Sequence, residues 1–365
     1  MSLDSLSIPR QSLMLLLPWT ILLVFGTVMV GSASVSMAGD FASKQLAHLC
    51  LSLLLAALVA LTPFSLWSRF YWLGWLGSML LVTLVLLPGA GHEVNGATRW
   101  IRLVGFNLQV VEVAKFGLLI YLAGYLARYH DELQQSPGRI FVPLAMVFVV
   151  CALVVAQPDL GSAAVVLAAT LSVLFMAGAK LRFVALMLVV GIALFAFMVW
   201  LEPFRMRRMI AFTDPWAVPF DTGYQLVQAL IAFGRGELFG LGLGEGIQKL
   251  SYLPEAHNDF IFAVVAEELG SLGAIALITL YTFFVIVVLN VAKRCLQSGQ
   301  LFAGYGCYFT GFLFAYQFMV NVGVNVGVLP TKGLTLPFVS YGGNSLIVSS
   351  VLFALVLRCS WTKEP

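Results

Sequence analysis

The stretch LPEAHNDFIFAVVAEELG, residues 253–270, joins a polar loop to a strongly apolar run, and its reading decides the fold. Glu255, His257 and Asp259 fall in the loop, and from residue 260 the chain becomes apolar for long enough to cross a bilayer as a helix. Asp259 stands on the threshold. A carboxylate that leaves water at a membrane boundary is partly desolvated, which disfavours its charged form and lets its protonation be tuned for chemistry. The same position suits a helix N-cap, which Asn258 or Asp259 can supply by accepting backbone N–H groups of the first turn. Residue type leaves both readings open.

Composition agrees with the membrane reading. Of 365 residues, 61% are hydrophobic and only 10% charged, more apolar surface than one soluble core can hide, so the chain reads as an all-α polytopic membrane protein. A net charge of +3, scattered along the chain, argues against a nucleic-acid partner. Cys50, Cys151, Cys295, Cys307 and Cys359 show no CxxC spacing and fall mostly in apolar runs, and the four histidines form no HExxH pair. Neither a zinc site nor a disulfide framework follows. The glycine-rich FGRGELFGLGLGEGIQKL, residues 233–250, lacks the GK[ST] of a phosphate-binding loop; its glycines fit tight turns or close helix approach.

Ten apolar runs meet the length of a transmembrane helix: 13–34, 45–62, 70–87, 111–127, 140–157, 162–179, 183–201, 259–290, 302–325 and 339–358. The first is followed by SASVSMAG, which imitates a signal-peptidase site, but the run is too long for a signal sequence and reads as an uncleaved helix after a polar tail, residues 1–12. An even number of spans puts both termini on one side. Arg69, Arg128, Arg139, Lys180, Arg182, Lys293 and Arg294 lie on that side, against Lys44, Arg99, Arg102 and Lys332 in the short opposite loops, so the termini are expected in the cytoplasm. The chain then reads as one membrane domain, 1–365, with one large extracytoplasmic loop, 202–258, between the seventh and eighth helices. That loop's Arg205, Arg207, Arg208, Arg235 and Lys249 run against the positive-inside trend and suggest an anionic ligand, although lipid headgroups attract such residues too.

Charged residues inside the apolar runs cost about 2.5–3.5 kcal/mol each at a helix centre and ask for partners. Glu112 and Lys115 lie three apart on one helix face and can pair. Helical geometry turns Glu267 about 80° from Asp259 and points Glu268 to the opposite side, so Glu267 is the one to share a cavity with Asp259 if either does, the alternative being that both bond to neighbouring helices. On residues alone, a transporter and a membrane enzyme remain comparable, since both line a cavity with charges.

The ordered blocks NGATRWIRLVGFNLQVVEVAK (95–115), AQPDLGSA (156–163), FRMRRMIAFTDPWAVPFDTGYQLVQALIAFG (204–234), GLGLGEGIQKLSYLPEAHNDFIFAVVAEELG (240–270) and NVGVNVGVLPTKGLTLPFVSYGGNSL (321–346) resemble the SEDS family of bacterial envelope proteins, named for shape, elongation, division and sporulation. LPTKGLTLPF favours its cell-division branch. Two departures stand out: Gln109-Val110-Val111-Glu112 where the family commonly has QPSE, and Ala256-His257-Asn258-Asp259 where it has AHTD.

The resemblance implies ten helices and a peptidoglycan glycosyltransferase that polymerises lipid II at the septum, on the outer face of the bacterial cytoplasmic membrane. Asp259 matches the catalytic carboxylate, and Trp100 and Lys332 match positions important for activity. Arg205, Arg208, Lys249, Lys332, His257, Glu112 and Lys115 complete the candidate substrate-binding set. The implied partners are lipid II, the nascent glycan strand, a class B penicillin-binding protein, other division membrane proteins and the bilayer. No dedicated metal cage is visible, but Mg²⁺ or Mn²⁺ could share the diphosphate charge. A lipid II flippase and a non-enzymatic scaffold for the transpeptidase are the alternatives.

Overall fold

The computed structural model describes residues 10–37, 40–94, 97–103, 106–135, 137–331 and 333–361. Its helices are α1 (Arg10–Ala33), α2 (Phe41–Leu61), the short α3 (Phe64–Arg69), α4 (Tyr71–Leu84), α5 (Val110–Arg128), the short α6 (His130–Gln135), α7 (Phe141–Ala156), α8 (Leu160–Met176), α9 (Leu181–Trp200), α10 (Pro203–Thr213), α11 (Tyr224–Gly236), α12 (Ile261–Gln297), α13 (Leu301–Asn325) and α14 (Gly343–Trp361). Among the described residues eight helices are long and apolar enough to cross a membrane, and α4 and α8, with 14 and 17 residues, are shorter apolar helices. They occupy the third and sixth expected spans. The expected reversal at residues 157–161 is present, with Asp159 capping α8 by accepting from the Ser162 N–H (3.2 Å) and hydroxyl (2.9 Å).

Burial sorts the helices by their surroundings. Along α5 both faces are covered, and α13 is largely enclosed. On α9, by contrast, Leu181, Val189, Ile192 and Trp200 are all more than 60% exposed, as expected of a helix whose apolar neighbour is lipid rather than protein.

The all-helical expectation has one exception. Between α4 and α5 the chain forms an antiparallel sheet of β1 (His92–Val94), β2 (Ala97–Leu103) and β3 (Phe106–Gln109), in which Trp100 pairs with His92 and Gln109. Hydrogen bonds gather this sheet and several helix ends at one end of the bundle. Arg99 of β2 donates to the Gln157 and Pro158 carbonyls after α7, and Asn344 of α14 donates to the Asn107 carbonyl of β3.

Helix α12 is broken at Gly270, whose φ of +69° is open to glycine at little cost. An unbroken helix would bond Ser271 N to Glu267 O and Leu272 N to Glu268 O. Here Ser271 N and Leu272 N donate to the Glu237 and Leu238 carbonyls, while Leu241 N and Gly242 N donate to the Glu267 and Glu268 carbonyls. Backbone from the glycine-rich segment therefore satisfies all four groups released by the break.

Side chains clamp the same segment. Glu267 accepts from the Ile247 and Gln248 N–H groups and pairs with Arg235 at 3.2 Å, and Glu268 accepts from Gly244 N and Ser32. Lys249 spends its three donors on Glu268 (2.6 Å), Ser32 and the Gly244 carbonyl, and is 3% exposed. Glu267 and Glu268 thus both bond to neighbouring segments, neither sharing a cavity with Asp259. One expectation is corrected: Lys249 has no donor left for an anionic substrate.

Replacing Glu268 with Ala would strand the Lys249 ammonium without its counter-charge. The loss should be about 3–5 kcal/mol, and Glu268→Ala combined with Lys249→Met should recover most of it. Thermal unfolding of the purified protein in detergent reads both.

Candidate functional site

Asp259 lies just before α12, at the end of a turn in which Asn258 N and Phe260 N both donate to the Glu255 carbonyl. Its backbone carbonyl accepts from the side-chain amides of Asn321 (2.9 Å) and Asn325 (3.0 Å), one helical turn apart on α13. The expected cap is not supplied by Asn258 or Asp259. The Ala263 N–H is instead shared between Asn325 Oδ1 and the Phe260 carbonyl, each at 3.0 Å, and Asn258 Nδ2 reaches back to Glu255 at 3.3 Å.

The segment after α13 closes over this turn. Ser340 donates to the Asn258 carbonyl and accepts from Leu336 N; Asn321 also donates to the Leu334 carbonyl; Tyr341 N donates to the His257 carbonyl. A methyl group on Gly333 would sit 3.0 Å from Asp259 Oδ2, so the missing side chain there leaves room for the carboxylate. Lys332, beside it in sequence, lies outside the described residues.

The carboxylate is thus held by its main chain, and among the described residues it accepts no hydrogen bond. Burial is the largest influence on it, and the Glu255 charge adds to the effect; Arg99 and Arg208 act against this and Asp159 with it. The balance pushes the Asp259 pKa up to about 7. Arg208 is itself lowered, first by burial and then by Arg99, with Asp259 drawing it back up. One half-buried acid therefore shares its field with two guanidinium groups. Such a group exchanges a proton near neutrality, and Arg99 is held in place beside it by the Gln157 and Pro158 carbonyls and by Asp159 at 3.9 Å.

The other sequence candidates lie in varied places. Arg205 pairs with Glu202 at 3.0 Å and donates to the Met198 carbonyl, which ties it to the end of α9. His257 is 7% exposed, packed edge-on to Phe41 and against Tyr341, with Nδ1 unpartnered among the described residues. Burial lowers its pKa despite Glu255, so its ring packs the turn as a neutral group rather than offering positive charge. Trp100 is half-buried, and strand alternation turns it to the face of β2 opposite Arg99. Glu112 and Lys115 form the expected pair at 2.6 Å, both buried in the first turns of α5. Arg99, absent from the candidate set, belongs to the site; its signal was a basic residue beside Trp100 in a matched block.

A family model described as cell cycle protein and covering FtsW, RodA and SpoVE matches residues 12–364. A relative from Pseudomonas fluorescens, named probable peptidoglycan glycosyltransferase FtsW, is 43% identical over 93% of this chain and 85% of its own length. Among solved structures, a chain from a peptidoglycan synthase complex that coordinates polymerization and crosslinking is 30% identical, with a TM-score of 0.76 over 96% of this chain and 98% of the other. The rod shape determining protein RodA of Thermus thermophilus is 28% identical, with a TM-score of 0.70 over 98% of each chain.

The raised pKa carries a stability consequence with a definite sign. Between the ordinary carboxylate value of 3.8 and about 7, the folded protein keeps a proton on Asp259 that the unfolded chain releases, so stability falls as pH rises through that window. Asn at this position does not titrate. The melting temperature of Asp259→Asn should exceed that of the parent at pH 8, and the difference should shrink as pH falls from 7 toward 4.

Proposed function

From its place in the FtsW, RodA and SpoVE family of cell cycle proteins, to which the chain belongs, we propose that this membrane enzyme is a peptidoglycan glycosyltransferase polymerising lipid II with Asp259 as general base. The observation that carries the reading is a half-buried carboxyl, held by its main chain just before α12 with Gly333 against it, whose pKa burial pushes up to about 7 within the electrostatic reach of Arg99 and Arg208. Asp259 takes the proton from the 4-hydroxyl of the acceptor's N-acetylglucosamine as that oxygen attacks the anomeric carbon of the donor's N-acetylmuramic acid. The new carbon–oxygen bond forms as the bond to the diphosphate breaks, and the centre inverts, as in inverting hydrolysis with a sugar hydroxyl in place of water.

Undecaprenyl diphosphate leaves without needing a proton if its charge is met. Arg99 and Arg208 are the cations placed to meet it, acting where charge develops. A Mg²⁺ or Mn²⁺ ion would be held chiefly by the diphosphate's own oxygens, because among the described residues no three His, Cys, Asp or Glu side chains are grouped around a common point. For the prenyl chain, an open apolar groove of about 440 Å³ runs between Ile21, Val24, Phe25 and Val28 of α1 and Leu243 and Leu269 beside the α12 break.

This reading places the gathered helix ends and residues 202–258 on the outer face of the bacterial inner membrane, with both termini cytoplasmic and the enzyme at the division septum. The partner is a class B penicillin-binding protein, which crosslinks the strand as it grows. Support comes from the likeness to a complex that couples polymerization to crosslinking and from the relatives' naming.

Labelled lipid II supplied in detergent with the partner transpeptidase tests the enzyme, since flipping has no meaning there. Asp259→Asn should lower the rate of glycan-strand formation by roughly 10² to 10⁴; unchanged polymer from that variant would remove Asp259 as the base. The parent's pH–rate profile should fall on its acid side with a midpoint near the Asp259 value of about 7. Arg99→Gln and Arg208→Gln each remove a charge that holds this pKa down, so both should move that midpoint to higher pH as well as slow the reaction.

A further inference from the structure

The geometry points to Asn325, seconded by Asn321, as a positioning residue that stops α12 one turn short and so presents the Asp259 carboxylate; the inference rests on Asp259 being the base. In a helix continued backward from Ile261, Ala263 N would donate to the Asp259 carbonyl. Those are the two backbone groups that the Asn325 side chain occupies, its Oδ1 accepting from Ala263 N at 3.0 Å and its Nδ2 donating to Asp259 O at 3.0 Å. One side-chain amide stands where the Ala263-to-Asp259 backbone hydrogen bond of a continued helix would be, while Ala263 N shares its hydrogen with the tighter i−3 carbonyl of Phe260 at 3.0 Å. The helix is interrupted with neither group left bare.

Asn321 secures the same carbonyl from one turn earlier on α13. Its Nδ2 donates to Asp259 O (2.9 Å) and to Leu334 O (2.7 Å), and its buried Oδ1 has no partner among the described residues. Rotating the amide by 180° would set Oδ1 against two carbonyl oxygens, so its orientation is fixed by the carbonyls it holds. Through Leu334 it also couples the Asp259 turn to the segment bearing Gly333, which stands against the carboxylate. Asn325 Nδ2 donates in addition to Asn321 O at 2.8 Å, tying the two asparagines to one scaffold.

Without the inserted amide, Ala263 N and Asp259 O can bond each other, winding Asp259 into the helix and turning its side chain away from Arg99 and Arg208. A displacement of this size at a reacting group costs on the order of 10² in rate. Neither asparagine touches the reacting atoms in this account. The signature is a loss in kcat at nearly constant KM, together with a changed Asp259 environment.

The test uses the full-length protein with its partner transpeptidase and labelled lipid II, comparing Asn325→Ala, Asn325→Ser, Asn321→Ala and Asp259→Asn. Asn325→Ala should lower kcat by about 10- to 100-fold with KM little changed, and should shift the acid limb of the pH–rate profile as the carboxylate's burial and its distance from the arginines change. Asn325→Ser keeps a hydroxyl that can both accept and donate, and should recover part of the rate. Asn321→Ala should show the same pattern to a smaller degree. A folded Asn325→Ala protein with the parent's kcat and an unmoved acid limb overturns the proposal, as does a loss equal in Ala and Ser that follows only the folded fraction. Full activity in Asp259→Asn would instead overturn the premise, which separates the two failures.

Discussion

A membrane protein cannot leave backbone hydrogen-bonding groups bare in the bilayer, because lipid offers them no partner, and the eighth of the expected spans meets that constraint at two interruptions. At Gly270 two helical hydrogen bonds are opened, and backbone from residues 237–242 takes all four released groups. At the start of α12 the Ala263 N–H and the Asp259 carbonyl are held apart by the Asn325 amide. Each interruption places something that a continuous helix would not. The first seats the glycine-rich loop on the buried Glu267 and Glu268, and the second leaves an acidic side chain outside the helix at the membrane boundary.

The chemistry follows from that placement. Burial alone would make Asp259 a protonated bystander, and full exposure would make it too weak a base near neutrality. Its pKa of about 7 reflects burial and Glu255 on one side and Arg99 and Arg208 on the other. The arginines have a second use in the proposed reaction, since the leaving group is a diphosphate. Lys249, by contrast, gives all of its charge to the fold. Basic residues that look equivalent in the 202–258 loop are divided by the structure: Lys249 and Arg235 secure the loop on Glu268 and Glu267, Arg205 anchors a helix end, and Arg208 joins Arg99 of β2 in the field of the carboxylate.

Much of the fold was legible because a bilayer writes itself into sequence as long apolar runs. All ten runs contain a helix, and the polar break at residues 157–161 is the reversal it resembled. The runs at 70–87 and 162–179 overstate their helices because apolar residues continue into turns that serve the sheet and the helix ends. The sheet itself was missed. Its strands are short, and the alternation in ATRWIRL is carried by residues that also suit an interfacial loop.

The site was legible in its centre and less so in its supports. Asp259 stood out by its position, and the Glu112–Lys115 pair by its spacing. Arg99 acquires its role by reaching across 58 residues of chain to Gln157, and Glu268 meets Lys249 across a loop whose path no local pattern reveals. Asn321 and Asn325 are visibly on one face of α13, but nothing local says that the face meets the start of α12. The most direct test of the account is the titration of Asp259 itself, read by isotope-edited infrared difference spectroscopy of the full-length protein against Asp259→Asn. A protonated carboxyl band that disappears with a midpoint near pH 7 is the predicted result; a band already lost by pH 5 would contradict it.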